Sequence, residues 1–145
     1  MKKYCINILF VLLSSLVSAC YDYDDVTYEI GEASDQAFIS KMEVYDRNWN
    51  KVTTSTSIPV TMIDQNGVER FKDENTKPEI LLEVKSGTDL TQVSLVATLS
   101  SQSSYAKISP NMGIPMDMTA PREFTVVSQS GKNVLVYKVT VVEKR

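Results

Sequence analysis

An antiparallel all-β sandwich is the fold class that this sequence predicts, and three observations predict it. Apolar residues recur with a period of two in one segment after another, as in strands that set one face on a core. Turns built on Gly, Asn, Asp and Ser punctuate those segments at short, regular spacing. Helical periodicity is nearly absent beyond residue 35.

The elements follow in order. Ala37–Asp46 alternates around Phe38, Met42 and Val44 and reads as a strand. Arg47–Ser57 is rich in Asn, Thr and Ser, the composition of a loop or an irregular edge. Ile58–Asp64 is a second short strand, with Pro59 near its start, where proline is tolerated. Asp64-Gln65-Asn66-Gly67 supplies an Asn-Gly hairpin turn, and Val68–Phe71 returns as the partner strand. After the charged turn Lys72–Lys77, Ile80, Leu82 and Val84 point one way while Glu79, Glu83 and Lys85 point the other. Ser86–Asp89 turns the chain, and Val93, Leu95, Ala97 and Leu99 share one face of the next strand.

Ser100–Ser104 breaks that strand, and Tyr105–Ser109 is a further short one. Pro110–Pro121 carries three prolines and a glycine and reads as a crossing loop. Glu123–Ser128 is a strand with Phe124 and Val126 inward, followed by the turn Ser130-Gly131-Lys132-Asn133. In the last strand, Val134–Val142, Leu135, Tyr137, Val139 and Val141 share one face and Lys138 and Thr140 the other. Seven to nine short strands result. A lone hairpin is marginal in water, so the alternating faces must meet each other.

The first residues read differently. Lys2 and Lys3 precede an apolar run that ends in small residues at Ala19, the marks of a cleaved secretory signal peptide over residues 1–19. The run Tyr4–Ala19 is shorter than the ~20 residues a spanning helix needs. Removing it leaves thirteen basic and eighteen acidic side chains, a net −5 against −3 for the full 145 residues. An acidic surplus argues against binding a phosphate backbone, so no nucleic-acid partner is expected. Cys5 leaves with the signal, and Cys20 is then the single thiol, with no disulfide partner in its own chain. The chain has no histidine, which excludes Ser-His-Asp and Cys-His nucleophiles and every histidine metal site.

Val17-Ser18-Ala19-Cys20, with Leu16 before it, resembles the lipobox of bacterial lipoproteins. The resemblance implies a covalent diacylglyceryl lipid on Cys20 and a membrane partner held through it. Two or three acyl chains anchor stably where one binds reversibly. Asp22, Asp24 and Asp25, interrupted by Tyr21 and Tyr23, resemble the export signal of Bacteroidota surface lipoproteins. That signal implies an outer-membrane protein facing the cell exterior, whereas a solvated tether would share the same composition. The domain expectation is a signal peptide over 1–19, a lipidated acidic linker over 20–35 and a sandwich over 36–145.

The C-terminal half carries a second resemblance. Gly87-Thr88-Asp89-Leu90-Thr91, Ile108-Ser109-Pro110-Asn111-Met112-Gly113, Met116-Asp117-Met118-Thr119-Ala120-Pro121, Phe124-Thr125-Val126, Ser130-Gly131-Lys132 and Tyr137-Lys138-Val139-Thr140-Val141 are similar to a small immunoglobulin-like domain common in Bacteroidota surface lipoproteins. It departs in Phe124 for the usual Tyr, Thr119 for Ser and Ser130 for an acidic residue. The resemblance implies an immunoglobulin-like β-sandwich and an association with glycan capture. It is nearly silent on activity, because such sandwiches host many functions.

Candidate chemistry is sparse. Asp64, Asp89 and Asp117 fall in turns, where Asp bonds local N–H groups, and no calcium-loop motif surrounds them, so no catalytic pair, metal or cofactor is expected. Trp49 lies in Arg47-Asn48-Trp49-Asn50, with Tyr45 two residues before that segment. Exposed, the two rings are a glycan contact; folded back, Trp49 is a lid on one end of the sandwich. The expected function is a non-catalytic, surface-anchored accessory, binding or adhesion module, its partner a glycan or another surface protein. The alternative is a carbohydrate-binding component of a glycan-uptake system.

Overall fold

The computed structural model describes residues 31–145. The expected signal peptide over 1–19, and Cys20, Asp22, Asp24 and Asp25, lie outside the described residues. The chain divides into two units, Met1–Gly31 and Glu32–Arg145, and the second holds the fold.

Ten strands and two single 3₁₀ turns make up this unit, with no α-helix among the described residues. The strands are β1 Ile39–Tyr45, β2 Thr53–Ser57, β3 Thr61–Ile63, β4 Glu69–Phe71, β5 Glu79–Val84, β6 Val93–Leu99, β7 Lys107–Ser109, β8 Pro115–Met116, β9 Arg122–Val127 and β10 Val134–Glu143. They form a three-stranded sheet ordered β1-β6-β8, a five-stranded sheet ordered β2-β5-β10-β9-β7, and the separate hairpin β3-β4. The fold is an all-β sandwich, as its alternation dictates.

Each apolar face reaches the same core. Met42, Val44, Val93 and Leu95 from the first sheet meet Ile80, Leu82, Val84, Phe124, Val126, Tyr137 and Val139 from the second, all at 1% exposure or less. Burial drives this association at roughly 25 cal/mol per Å² of apolar surface. Tyr137 carries the one polar group in that row. Burial pushes its hydroxyl up from the usual 10 to about 12, against the opposing pull of the Ile39 N–H, which donates to its oxygen at 3.3 Å.

Three features depart from the sequence expectation, and one reading left open there is resolved. First, β5 and β10 pair in parallel, so the second sheet is mixed and not wholly antiparallel. Alternation specifies which face is buried, not which neighbour a strand takes. Second, of the two readings of Arg47–Ser57, loop or irregular edge, its second half takes the edge: it is strand β2, bulged between Thr53 and Ser55 against β5. Its residues are hydroxylic because they stitch the sandwich edge: Thr53 Oγ1 accepts from Val44 N–H at 2.6 Å, and Thr56 Oγ1 donates to the Met42 carbonyl at 3.3 Å. Third, the crossing loop holds β8, which pairs Met116 with Val93, and it buries Met116 and Met118. Fourth, the strand count is ten.

The sandwich has two distinguishable ends. At one, Ser34 Oγ donates to the Gln102 carbonyl at 2.6 Å, Phe38 N–H donates to Ser103 Oγ at 2.8 Å, and the Phe38 and Phe71 rings meet edge-on at 5.2 Å. From there β1 runs about 20 Å, at ~3.4 Å per residue, to the turn that carries Trp49.

Candidate functional site

The turn between β1 and β2 is built by Asp46. Its Oδ1 accepts the N–H groups of Asn48 and Asn50, both at 2.8 Å, and its Oδ2 accepts the Asn50 amide at 3.1 Å. Those bonds hold its carboxyl below the usual carboxylate range, the Asn50 N–H foremost. Trp49 N–H donates to the Asp46 carbonyl at 3.0 Å, and Asp46 N–H donates to the Asn50 carbonyl at 2.9 Å. This closed turn sets Trp49 at φ +61°, the single described residue other than glycine with a positive φ. For a bulky side chain that conformation is an outlier and costs of order 1–3 kcal/mol.

The strain displays the indole. Trp49 is 57% exposed, so it is no lid over the core. Its ring lies 5.7 Å from the Tyr45 ring at a tilt of 46°, and its Cη2 sits 3.6 Å from where a Cβ on Gly113 would be. That distance is an ordinary contact, so Gly113 is required by its φ of +76° and not by crowding. Gly113 N–H donates to the Leu95 carbonyl of β6 at 2.8 Å. The indole therefore spans from β1 to β6 across the outer face of the three-stranded sheet. Beneath it, Tyr45 pairs with the buried Ser94, which pairs in turn with Pro115.

Polar groups flank the rings on both sides. Tyr45 donates its hydroxyl to Glu43 Oε2 at 3.2 Å, and Glu43 also pairs with Lys41 at 2.8 Å and with Lys51. Hydrogen bonds from Lys41 and Lys51 lower the Glu43 carboxyl from the usual 4.5 to about 2. Glu43 and Lys51 continue into a groove of about 360 Å³ lined by Ser40 and by hydroxyls of β2. On the other flank, Asp46, Arg47 and Asn48 face Lys85, Asp89 and Gln92 across a cleft of about 370 Å³. Aromatic faces beside hydroxyl, amide and charged groups are the chemistry that stacks on and hydrogen-bonds a sugar.

Of the residues singled out from sequence, the structure brings Tyr45 and Trp49 together. Arg47 and Asn48 were legible as polar neighbours of Trp49 in the chain, whereas Glu43 and Lys51 were not, because charged residues on strand faces are ordinarily solvated. Asp64, Asp89 and Asp117 are the turn residues expected. Asp64 Oδ1 accepts from Asn66 and Val68 N–H, Asp89 Oδ1 from Thr91 N–H, and Asp117 Oδ1 from Thr119 N–H. No cluster of three or more potential metal ligands occurs among the described residues, and none of their helices is long and apolar enough to cross a membrane.

These features define a class: an all-β surface-type sandwich presenting an aromatic pair from a strained turn. Residues 54–141, more than half of the chain, match the SGBP N-terminal family, a Bacteroidota surface family of starch- and glycan-binding proteins. The chain belongs to that family. Its fold is similar to a candidate glycoside hydrolase of Bacteroides thetaiotaomicron (23% identity, TM-score 0.43), covering 64% of this chain and 25% of that one. It is also similar to a candidate secreted protein of Bacteroides fragilis (14% identity, TM-score 0.45), covering 79% of this chain and 100% of that one. A search of curated proteins finds no match. The family is a component of the Bacteroidota cell surface.

Proposed function

We propose that this protein is a non-catalytic, lipid-anchored module on the exterior of a Bacteroidota cell that binds carbohydrate through Tyr45 and Trp49. The observation that carries the reading is Trp49, more than half exposed at φ +61° beside Tyr45, in a chain of a glycan-binding surface family. Stacking of a sugar ring on the indole supplies apolar contact. Glu43, Lys51, Arg47 and Asn48 supply hydrogen bonds to its hydroxyls. Glu43 is paired with Lys41 and Lys51, and Asp46 and Asp89 cap their own turns, so the carboxylates around the rings are held in structural roles, which supports a non-catalytic reading. Glycan arrays probed with the wild-type protein and with Trp49→Ala test this reading. Binding by the wild type alone supports it, and binding by neither removes it.

Val17-Ser18-Ala19-Cys20 supports lipidation at Cys20, and Asp22, Asp24 and Asp25 support export to the outer face. Cys20→Ala is expected to leave the protein unprocessed or released. Outer-membrane fractionation unchanged by that substitution would falsify the anchor. Protease shaving of intact cells before and after replacing the three aspartates by Ala tests the outward orientation.

A further inference from the structure

The hairpin β3–β4 carries a group of exposed apolar side chains that the glycan site does not use. Its register pairs Thr61 with Phe71, Met62 with Arg70 and Ile63 with Glu69. One face turns to the sandwich: Phe71 meets Phe38, and the buried Glu69 accepts from Thr61 at 2.8 Å and from Ser100. The other face carries Val60, Met62 and Val68, 64%, 48% and 38% exposed, with Lys72 and Arg70, the latter paired with Asp64, beside them. Exposed apolar side chains next to Lys and Arg suit a surface that lies in a membrane interface.

The path of the chain says which surface covers this face. Asp35, Gln36 and Phe38 line one groove together with Val68, Arg70 and Phe71. Ser34 bonds Gln102 and Gln129 and the chain then passes the hairpin from Asp35 to Phe38, so the described chain enters the sandwich at the end opposite Trp49, the end that carries the hairpin. Asp35 follows Cys20 by fifteen positions, a contour of at most ~54 Å. We propose that the outer face of the β3–β4 hairpin rests on the bilayer to which Cys20 is anchored, Val60, Met62 and Val68 entering the interface and Arg70 and Lys72 meeting anionic headgroups. This rests on the lipid-anchor reading. With this end down, the Tyr45–Trp49 site points away from the membrane.

A single labelled thiol tests it in the full, lipidated protein. If Cys20 is acylated, the wild type takes up no maleimide dye; a labelled wild type overturns the anchor reading before the hairpin is examined. Given an unlabelled wild type, Met62→Cys and Ser86→Cys each carry an environment-sensitive dye, and the proteins are reconstituted into phosphatidylethanolamine–phosphatidylglycerol vesicles. The expected result is a shift to shorter wavelength, and quenching by lipid-borne quencher, at position 62 and not at 86. The shift shrinks in Arg70→Glu/Lys72→Glu protein. Equal emission and equal quenching at both positions overturns the proposal. A shift at position 62 that tracks protein concentration and ignores the lipid quencher also overturns it, and assigns the face to a second protein copy.

Discussion

Two turns in this molecule are built alike and filled differently. In Asp46-Arg47-Asn48-Trp49-Asn50 and in Asp64-Gln65-Asn66-Gly67-Val68, the aspartate carbonyl accepts from the residue three positions on, at 3.0 Å in both. The aspartate N–H donates to the residue four positions on, at 2.9 Å in both, and Oδ1 caps two further N–H groups. The fourth position needs a left-handed backbone, φ +78° at Gly67 and +61° at Trp49. Glycine occupies it freely; an L-residue there costs roughly 1–2 kcal/mol. One turn carries the residue its backbone favours, the other a strained tryptophan, and that strain is what motivates the proposed binding role of Trp49.

The difference between the turns can be broken experimentally. The largest expected effect is on ligand: Trp49→Ala and Trp49→Gly each lose roughly 2 kcal/mol of glycan affinity, about thirtyfold by titration calorimetry, as a central aromatic anchor does. Next, Gly67→Trp places the strained residue in the second turn. It should lower stability by about 1–2 kcal/mol in denaturant melts, without adding a binding site. Third, Trp49→Gly should be more stable than Trp49→Ala by about 1 kcal/mol, because both remove the indole and only glycine relieves the strain. If alanine and glycine prove equal at position 49, the strain is not real.

The smallest effect is on pH. The carboxyls of Asp46 and Asp64 are both held below their usual 3.8, led by the N–H groups of Asn50 and Val68 respectively. A lowered carboxyl stabilises the fold above its unfolded value, and the contribution is lost as pH falls through the folded one. Both turns should therefore weaken together below pH 3.8. Glu43, lowered from 4.5 to about 2 by Lys41 and Lys51, adds a loss between those values. Melting curves of Glu43→Gln should be flatter over that window than those of the wild type. Equal acid slopes would show that Glu43 contributes nothing to the platform.

The same pair of turns shows how much the sequence disclosed. Asp64–Gly67 was legible because Asn-Gly announces a left-handed position. Its twin at Asp46 was hidden, because tryptophan gives no such signal, and the irregular edge after it could not be told from a loop. Thr53, Thr54 and Thr56 show no apolar alternation, since their hydroxyls bond the backbone of Val44, Glu83 and Met42. Ile80, Leu82, Val84, Tyr137 and Val139 were readable to the residue, because each core face needs its period of two. The parallel partnership of β5 and β10 was not, since no residue type encodes it. Tyr45 and Trp49 stood out by aromatic chemistry alone. Their polar neighbours gathered only when β1, β2 and the turns were placed in space.

One consequence lies in the direction of β1. It begins at the end where the chain enters the sandwich and finishes at the turn that presents Trp49. For a chain held at its N-terminal side and pulled at Trp49, the force would run through the covalent backbone of β1 from one end of the strand to the other. The hydrogen bonds to β6, nearly at right angles to that line, would then carry little of the load. On the proposed reading, β1 is a tie whose two ends are the anchor side and the binding side of the sandwich.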